Sequence, residues 1–300
     1  MKDPYLLHIF SPTRHVSPFD INMAYEAQFD AVIPHAGVNL DDTAALTQDT
    51  IFSRGPKGVR RTALFIGGRD LGLALDMMDV ARKAMVPPFE ISLLADPSGA
   101  ITTAAALVAL IEHSLQVRAQ GVLAGRQVRI FGGTGPVGIC AGMLAAHCGA
   151  CTQLVSHQGL GAGQKIADDY NRRFGLDMSG ADGSTPQARE RLLADAEIVV
   201  NAAKAGVRVL TRTDLAAAPG LRIAVDVNAV PPSGIEGVGV HDDLAPLEGA
   251  PDAAAIGALT VGDIKYKLHT RLLQRMYTAD KALFLGFREA FDTARELVRE

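Results

Sequence analysis

Along the N-terminal third, short apolar runs at residues 5–10, 31–33, 62–66 and 89–94 alternate with longer segments at 41–52 and 70–84 whose apolar positions recur at helical spacing. Strand alternating with helix predicts a mostly parallel sheet covered by helices. Ser17 and Pro18 look like a helix start, serine as the cap and proline in the first turn. The Ala/Leu-rich run at 101–116 is strongly helical by composition. The alternation then resumes: strands at 127–131, 152–156, 197–202 and 221–227, helices at 139–147 and 163–174, and a largely helical end at 263–298 expected to pack back on the first domain. The fold class is therefore α/β in two domains, an N-terminal parallel αβ domain and a Rossmann-like NAD(P)-binding domain. The boundaries are set at 1–118 together with 270–300, and at 119–269. The helix at 101–116 would bridge the two, with a ligand cleft between them.

The strand at 127–131 ends in Gly132 and passes through Gly133-Thr134-Gly135-Pro136-Val137-Gly138 into a helix. Gly133, Gly135 and Gly138 fill the three positions of G-x-G-x-x-G. Their expected roles are the tight turn, the approach of a pyrophosphate to the backbone, and close packing of helix on strand. The helix N-terminus beyond them offers N–H groups and the positive end of a dipole to phosphate. Gly67-Gly68 opens another strand-to-helix junction, either a second phosphate site or a close-packed turn.

NAD-selective Rossmann folds end the second strand on a carboxylate that binds the ribose hydroxyls. Here that strand ends Ser156-His157-Gln158, and no acidic residue follows before Asp168. An uncharged end admits a ribose phosphate as well as a hydroxyl, so the expected cofactor is NADP or NAD. His157 also reads as an ordinary solvated loop residue. The strand at 221–227 runs into Asp226-Val227-Asn228-Ala229-Val230-Pro231-Pro232, placing Asn228 at the carboxyl edge where such sheets bind ligands.

Three hundred residues suffice for two cores, and with 48% apolar and 21% charged residues the chain is neither disordered nor fibrous. A net charge of −4 gives no broad basic field, which argues against nucleic acid. No run approaches the roughly twenty apolar residues needed to cross a bilayer, and the first residues form no apolar leader, so a cytoplasmic protein with no membrane partner is expected. Cys140, Cys148 and Cys151 are an odd set without metal spacing and read as buried thiols. His8, His15 and His35 show no ligand spacing either, so no metal is expected.

Five stretches resemble one family in order and spacing: SPFDINMA at 17–24, LTQDTIFSR at 46–54, ADPSGAITTAAA at 95–106, DVNAVPPSG at 226–234 and IGALTVGDIKYK at 256–267. They are similar to the NAD(P)-dependent methylene-tetrahydromethanopterin dehydrogenases of methylotrophic bacteria. The resemblance implies hydride transfer from the methylene carrier to NAD(P)+ in formaldehyde oxidation, a site in the cleft between the domains, and a homo-oligomer. It also implies a tetrahydromethanopterin-type one-carbon carrier as partner. By the same resemblance Phe19 and Asp20 bind the pterin, Thr102 and Thr103 stand beside the cleft as further substrate-binding residues, and the active-site lysine Lys265 is catalytic together with Asp20. Asp20 also fits helix-dipole compensation, and either threonine fits a cap. Lys265 is expected to open a helix. The Ser-His-Gln strand end departs from the arginine-bearing form of NADP-selective members. Competing readings are a methylene-tetrahydrofolate dehydrogenase, a two-domain keto- or hydroxy-acid dehydrogenase, and a non-catalytic NAD(P)-sensing protein.

Overall fold

A computed structural model describes residues 4–118 and 120–300; the first three residues of the N-terminus read above lie outside it. In chain order the elements are β1 (Leu6–Ser11), α1 (Pro18–Glu26), β2 (Ala31–Ala36), α2 (Leu40–Phe52), α3 (Pro56–Val59), β3 (Thr62–Ile66), α4 (Leu71–Ala84), β4 (Ser92–Ala95), α5 (Ala100–Val117), β5 (Gln127–Phe131), α6 (Pro136–His147), β6 (Cys151–Ser156), α7 (Leu160–Phe174), β7 (Met178–Asp182), α8 (Pro186–Leu193), β8 (Ile198–Asn201), α9 (Arg212–Ala216), β9 (Ile223–Asp226), β10 (Asp243–Leu247), β11 (Ala250–Ile256), α10 (Ala258–Thr278), β12 (Phe284–Leu285) and α11 (Phe287–Leu297).

Two compact units divide the chain. One holds the residues up to Thr102 with Tyr266–Thr293, the other Thr103–Lys265 with Ala294–Glu300. The divisions fall inside α5, α10 and α11 rather than after residues 118 and 269, because these long helices do not end where a unit ends.

The first unit is built on a five-stranded sheet of order β12-β4-β3-β1-β2, in which every pairing is parallel. Its central strands are buried along their whole length, all five residues of β3 and all four of β4, with only Thr62 and Ser92 polar among them. This is what a parallel strand covered on both faces requires. Full burial of side chains such as Leu64, Phe65 and Leu93 contributes about 1.5–3 kcal/mol each. Asn39 and Asp42 form a reciprocal capping box that starts α2, and Asp70 accepts from the Leu73 N–H to start α4. Ser17 departs from its expected role: its side chain makes no capping hydrogen bond at α1, although Pro18 does occupy the first turn.

The second unit carries a seven-stranded sheet of order β10-β11-β9-β8-β5-β6-β7. All pairings are parallel except β10 with β11. Leaving out β10, this is the doubly wound order that reverses beside its first strand, here between β5 and β8. β7 and the β10–β11 hairpin are absent from the pattern reading. α6 is buried at eight of its twelve positions, including Ile139, Cys140, Met143 and Leu144, and so is apolar nearly all round.

Two expectations need correction. Of the three cysteines only Cys140 is buried; Cys148 is half-buried, and Cys151, at the start of β6, is exposed. The helical stretch Pro97–Val117 is long and apolar enough to cross a membrane, with a mean hydropathy of 1.4, but 72% of it is buried in the fold, as a core helix is.

Candidate functional site

The glycine turn lies where the sheet order of the second unit reverses. Gly132 adopts φ +73°, and a Cβ there would sit 2.5 Å from the Ala202 and Ala203 backbone beyond β8. The left-handed residue of the tight turn is therefore Gly132, not Gly133. Gly133 excludes a side chain for another reason, since its Cβ would lie 2.7 Å from Leu154 Cα on β6. A Cβ on Gly138 would lie 2.4 Å from the Gly132 carbonyl, which fixes how closely α6 packs against the turn. Gly135 differs from all three. It is the extended residue preceding α6, and its Cβ would come no nearer than 3.4 Å to any atom. Pro136 takes the first helical position and Thr134, Pro136 and Val137 are half-buried. The first-turn N–H groups of Val137 and Gly138 have no intrahelical acceptor. Such a helix mouth accepts a pyrophosphate.

The strand ends beside it bring together some of the expected cofactor residues. Ser156 is buried, and its Oγ accepts from the Gln158 N–H at 3.0 Å, while His157 and Gln158 are exposed. Sequence reading missed the carboxylate next to them. Asp182 ends β7 in register with Ser156. Its ionised form is favoured by hydrogen bonds from Ser184, which hold its pKa below the usual carboxylate value. Asn228, at the carboxyl edge of β9, has its side chain engaged by the neighbouring loops. Its Oδ1 accepts from the Gly206 and Val230 N–H groups, and its Nδ2 donates to the Pro232 carbonyl. With Asp226, which accepts from Asn201 Nδ2, the Asn228 N–H and the Ile235 N–H, it ties the loops after β8 and β9 together.

In the first unit the sheet order reverses between β1 and β3, and the loops after those strands flank the reversal. The chain places Asp20 there. It lies in the first turn of α1, 5% exposed, with Oδ2 3.3 Å from the position a Cβ on Gly67 would take. Gly67 thus leaves room for the carboxylate. Phe19 is 42% exposed and meets the buried His269 ring edge-on, with centroids 5.8 Å apart.

Behind these residues lies a cluster that the sequence reading did not single out. Asp96 is wholly buried just after β4. Its Oδ1 accepts from the Ile101 and Thr102 N–H groups at 2.9 and 3.1 Å, and its Oδ2 accepts from the Thr102 hydroxyl at 2.6 Å. The carboxylate thereby caps α5. His269, on α10 and also wholly buried, brings Nδ1 to 3.2 Å from the same Oδ2. Burial opposes ionisation of Asp96, but the His269 contact and the Thr102 hydrogen bonds outweigh it and hold the carboxyl below its ordinary pKa. Thr102 is therefore occupied with Asp96. Thr103 and Lys265 are half-buried and belong to the second unit. Lys265 lies well inside α10 rather than at its start, so the expected clash with the positive dipole end does not arise.

A family model described as "Methylene-tetrahydromethanopterin dehydrogenase, N-terminal" matches residues 18–98, from the start of α1 to just past Asp96. The NAD(P)-dependent methylenetetrahydromethanopterin dehydrogenase of Methylorubrum extorquens is 46% identical over 292 residues, covering 97% of this chain and 98% of its own. The chain belongs to the methylene-tetrahydromethanopterin dehydrogenase family. A second protein of the same organism, named bifunctional protein MdtA, is 30% identical with the same coverage of both chains. Among solved structures, a shikimate dehydrogenase in complex with NADP+ aligns with a TM-score of 0.53 at 11% identity, covering 99% of this chain and 96% of its own. Shikimate 5-dehydrogenase from Listeria monocytogenes, with shikimate and NAD, aligns at 0.51 and 15% identity, covering 98% and 96%. At that identity the likeness is one of fold.

Proposed function

We propose that this chain transfers a hydride from methylene-tetrahydromethanopterin to NAD+ or NADP+, leaving the methenyl carrier. The observation that carries this reading is the near-complete alignment, at 46% identity, with a relative named for that substrate and cofactor. The glycine turn at the β5–β8 reversal supports the cofactor half of the reading.

The chemistry makes few demands on acid–base groups. The methylene carbon lies between two nitrogens whose lone pairs take up the positive charge as hydride leaves, so no proton need move in that step. Catalysis then rests on positioning and on electrostatic support for the forming cation. In this reading the turn from Gly132 to Gly138 holds the pyrophosphate, with Ser156, His157 and Gln158 at the ribose. Asp20, a nearly buried carboxylate, binds the amino and ring N–H groups of the pterin. Phe19 offers its exposed ring face to the heterocycle. Lys265 holds a polar edge of the substrate or an ordered water and forms no covalent bond with it. Thr102 acts through Asp96.

The test is an ultraviolet assay of the purified protein with methylene-tetrahydromethanopterin and either NAD+ or NADP+, with methylene-tetrahydrofolate alongside. Formation of methenyl pterin together with reduced nucleotide supports the reading and ranks the nucleotides. Demonstrated nucleotide binding without turnover of either carrier overturns it.

A further inference from the structure

His269 is the most conspicuous polar group in the first unit that the reaction above leaves unused. It follows Lys265 by four residues along α10, is wholly buried, and packs between two aromatic rings. Phe65 stacks on it at 5.7 Å between centroids, and Phe19 meets it edge-on at 5.8 Å. One nitrogen faces charge: Nδ1 lies 3.2 Å from Asp96 Oδ2, at ion-pair distance but not aligned for a regular hydrogen bond. The other, Nε2, is enclosed and has no hydrogen-bond partner among the described residues.

A buried ring nitrogen without a partner has lost its water and gained nothing in return, and such groups call for a specific explanation. Two features give one. The Asp96 carboxylate, an acceptor, occupies the Nδ1 side, so the tautomer that serves it carries its proton on Nδ1 and leaves the Nε2 lone pair as an acceptor. The Phe65 ring on which His269 stacks also lies against the pocket of Asp20: a Cβ on Gly67 would be 3.4 Å from Phe65 Cε1 and 3.3 Å from Asp20 Oδ2. Phe19, which covers the histidine from the other side, is 42% exposed and is the side chain whose displacement would uncover it.

We propose that His269 is a substrate-binding residue whose Nε2 accepts a hydrogen bond from an N–H group of the pterin ring once Phe19 has moved off it, with Asp96 and Thr102 fixing the imidazole in the required tautomer. This rests on the pterin reading of the site and adds an acceptor to Asp20. Two carboxamide replacements divide the functions of the ring. In His269→Asn the shorter amide reproduces the Nδ1 contact with Asp96 and removes the Nε2 acceptor. In His269→Gln the longer amide reaches the Nε2 position.

Wild-type turnover is established first, so that failure of the pterin reading is seen separately. The expected result for His269→Asn is a melting temperature and NAD(P)H affinity close to wild type, with KM for the methylene carrier raised at least tenfold and kcat changed much less. His269→Gln recovers part of that affinity. Wild-type KM in His269→Asn overturns the proposal and leaves His269 as a packing partner of Asp96 alone. Should His269→Asn not fold, the ring 15N signals of the wild-type protein decide. A shift of the His269 Nε2 resonance on adding the pterin, but not on adding NAD+, supports the contact. No shift with the pterin overturns it.

Discussion

Replacing Gly135 by Ala separates the stability of the glycine turn from its capacity to hold an anion. Gly135 has φ −86° and ψ 161°, which any residue adopts, and the added Cβ meets nothing closer than the Gly132 carbonyl at 3.4 Å. Alanine is a poorer residue than glycine before a helix, at a cost of about 1 kcal/mol, so the protein should fold. The methyl group nevertheless enters the open mouth of α6, where the pyrophosphate is proposed to lie. Pushing that group off the Val137 and Gly138 N–H groups weakens two charge-assisted hydrogen bonds, each contributing about 1.5–3 kcal/mol. Water recovers part of the loss, and a net cost of about 2–3 kcal/mol corresponds to a Kd for NAD(P)H raised ~30- to 140-fold. Fluorescence titration with the reduced nucleotide reads the affinity, and circular dichroism with a thermal melt reads the fold. Gly138→Ala is the contrasting control, because its Cβ would lie 2.4 Å from the Gly132 carbonyl; it should lower the melting temperature as well. A folded Gly135→Ala protein with Kd within threefold of wild type would refute the placement of the pyrophosphate over α6.

Asp20→Asn keeps the shape of a nearly buried side chain while removing its charge. It should lower kcat/KM for the methylene carrier by ~10- to 100-fold, the loss of a hydrogen bond to a charged group, without changing nucleotide affinity, and unchanged steady-state kinetics would take Asp20 out of the site. His8 has its pKa lowered to about 4 by burial, then by the nearby His35 and Arg54. The unfolded chain therefore takes up a proton near pH 6.5 that the folded chain refuses until about pH 4. Its contribution is at full strength above pH 6.5 and falls away as the pH drops towards 4, so His8→Gln should flatten the decline of melting temperature across that window; an equal slope in both proteins would contradict this. Thiol labelling at pH 8 should modify Cys151, which is exposed, and spare Cys148, whose thiol is pushed up to about 12 by burial and by Glu112. Mass-spectrometric mapping that finds Cys148 labelled first would show that its surroundings differ from those described.

The βα alternation was legible because its strands are unbroken apolar runs, as β3 shows with Thr62–Ile66 wholly buried. β7 was not, since Met-Ser-Gly-Ala-Asp is short and carries both glycine and a charge. Nor was β10, in which Pro246 and the positive φ of Leu244 depart from strand preference. The glycine turn could be read because all its parts are local, yet the tight-turn role belongs to Gly132, which its positive φ and the approach of Ala202 and Ala203, just beyond β8, single out. Asp182 and Ser156 become neighbours through register between β6 and β7, and no spacing along the chain announces that. Asp96 lay within one of the stretches that carried the family resemblance. What makes it a centre is its contact with His269, from an element far along the chain.

The order in which the chain is made bears on the first sheet. β12 covers the outer edge of β4 through two residues, Phe284 and Leu285, and the Leu93 N–H donates to the Leu283 carbonyl beside them. On the ribosome β4 emerges long before that edge strand does, and all of the second unit's strands are synthesised in between. During that interval a strand buried in the finished fold has a bare side able to pair with another chain. His269 arrives equally late for Asp96. The first sheet is begun by β1 but completed only after every strand of the second unit has been made, so a nascent chain halted shortly before Phe284 carries an unprotected edge and a natural point of attachment for a chaperone.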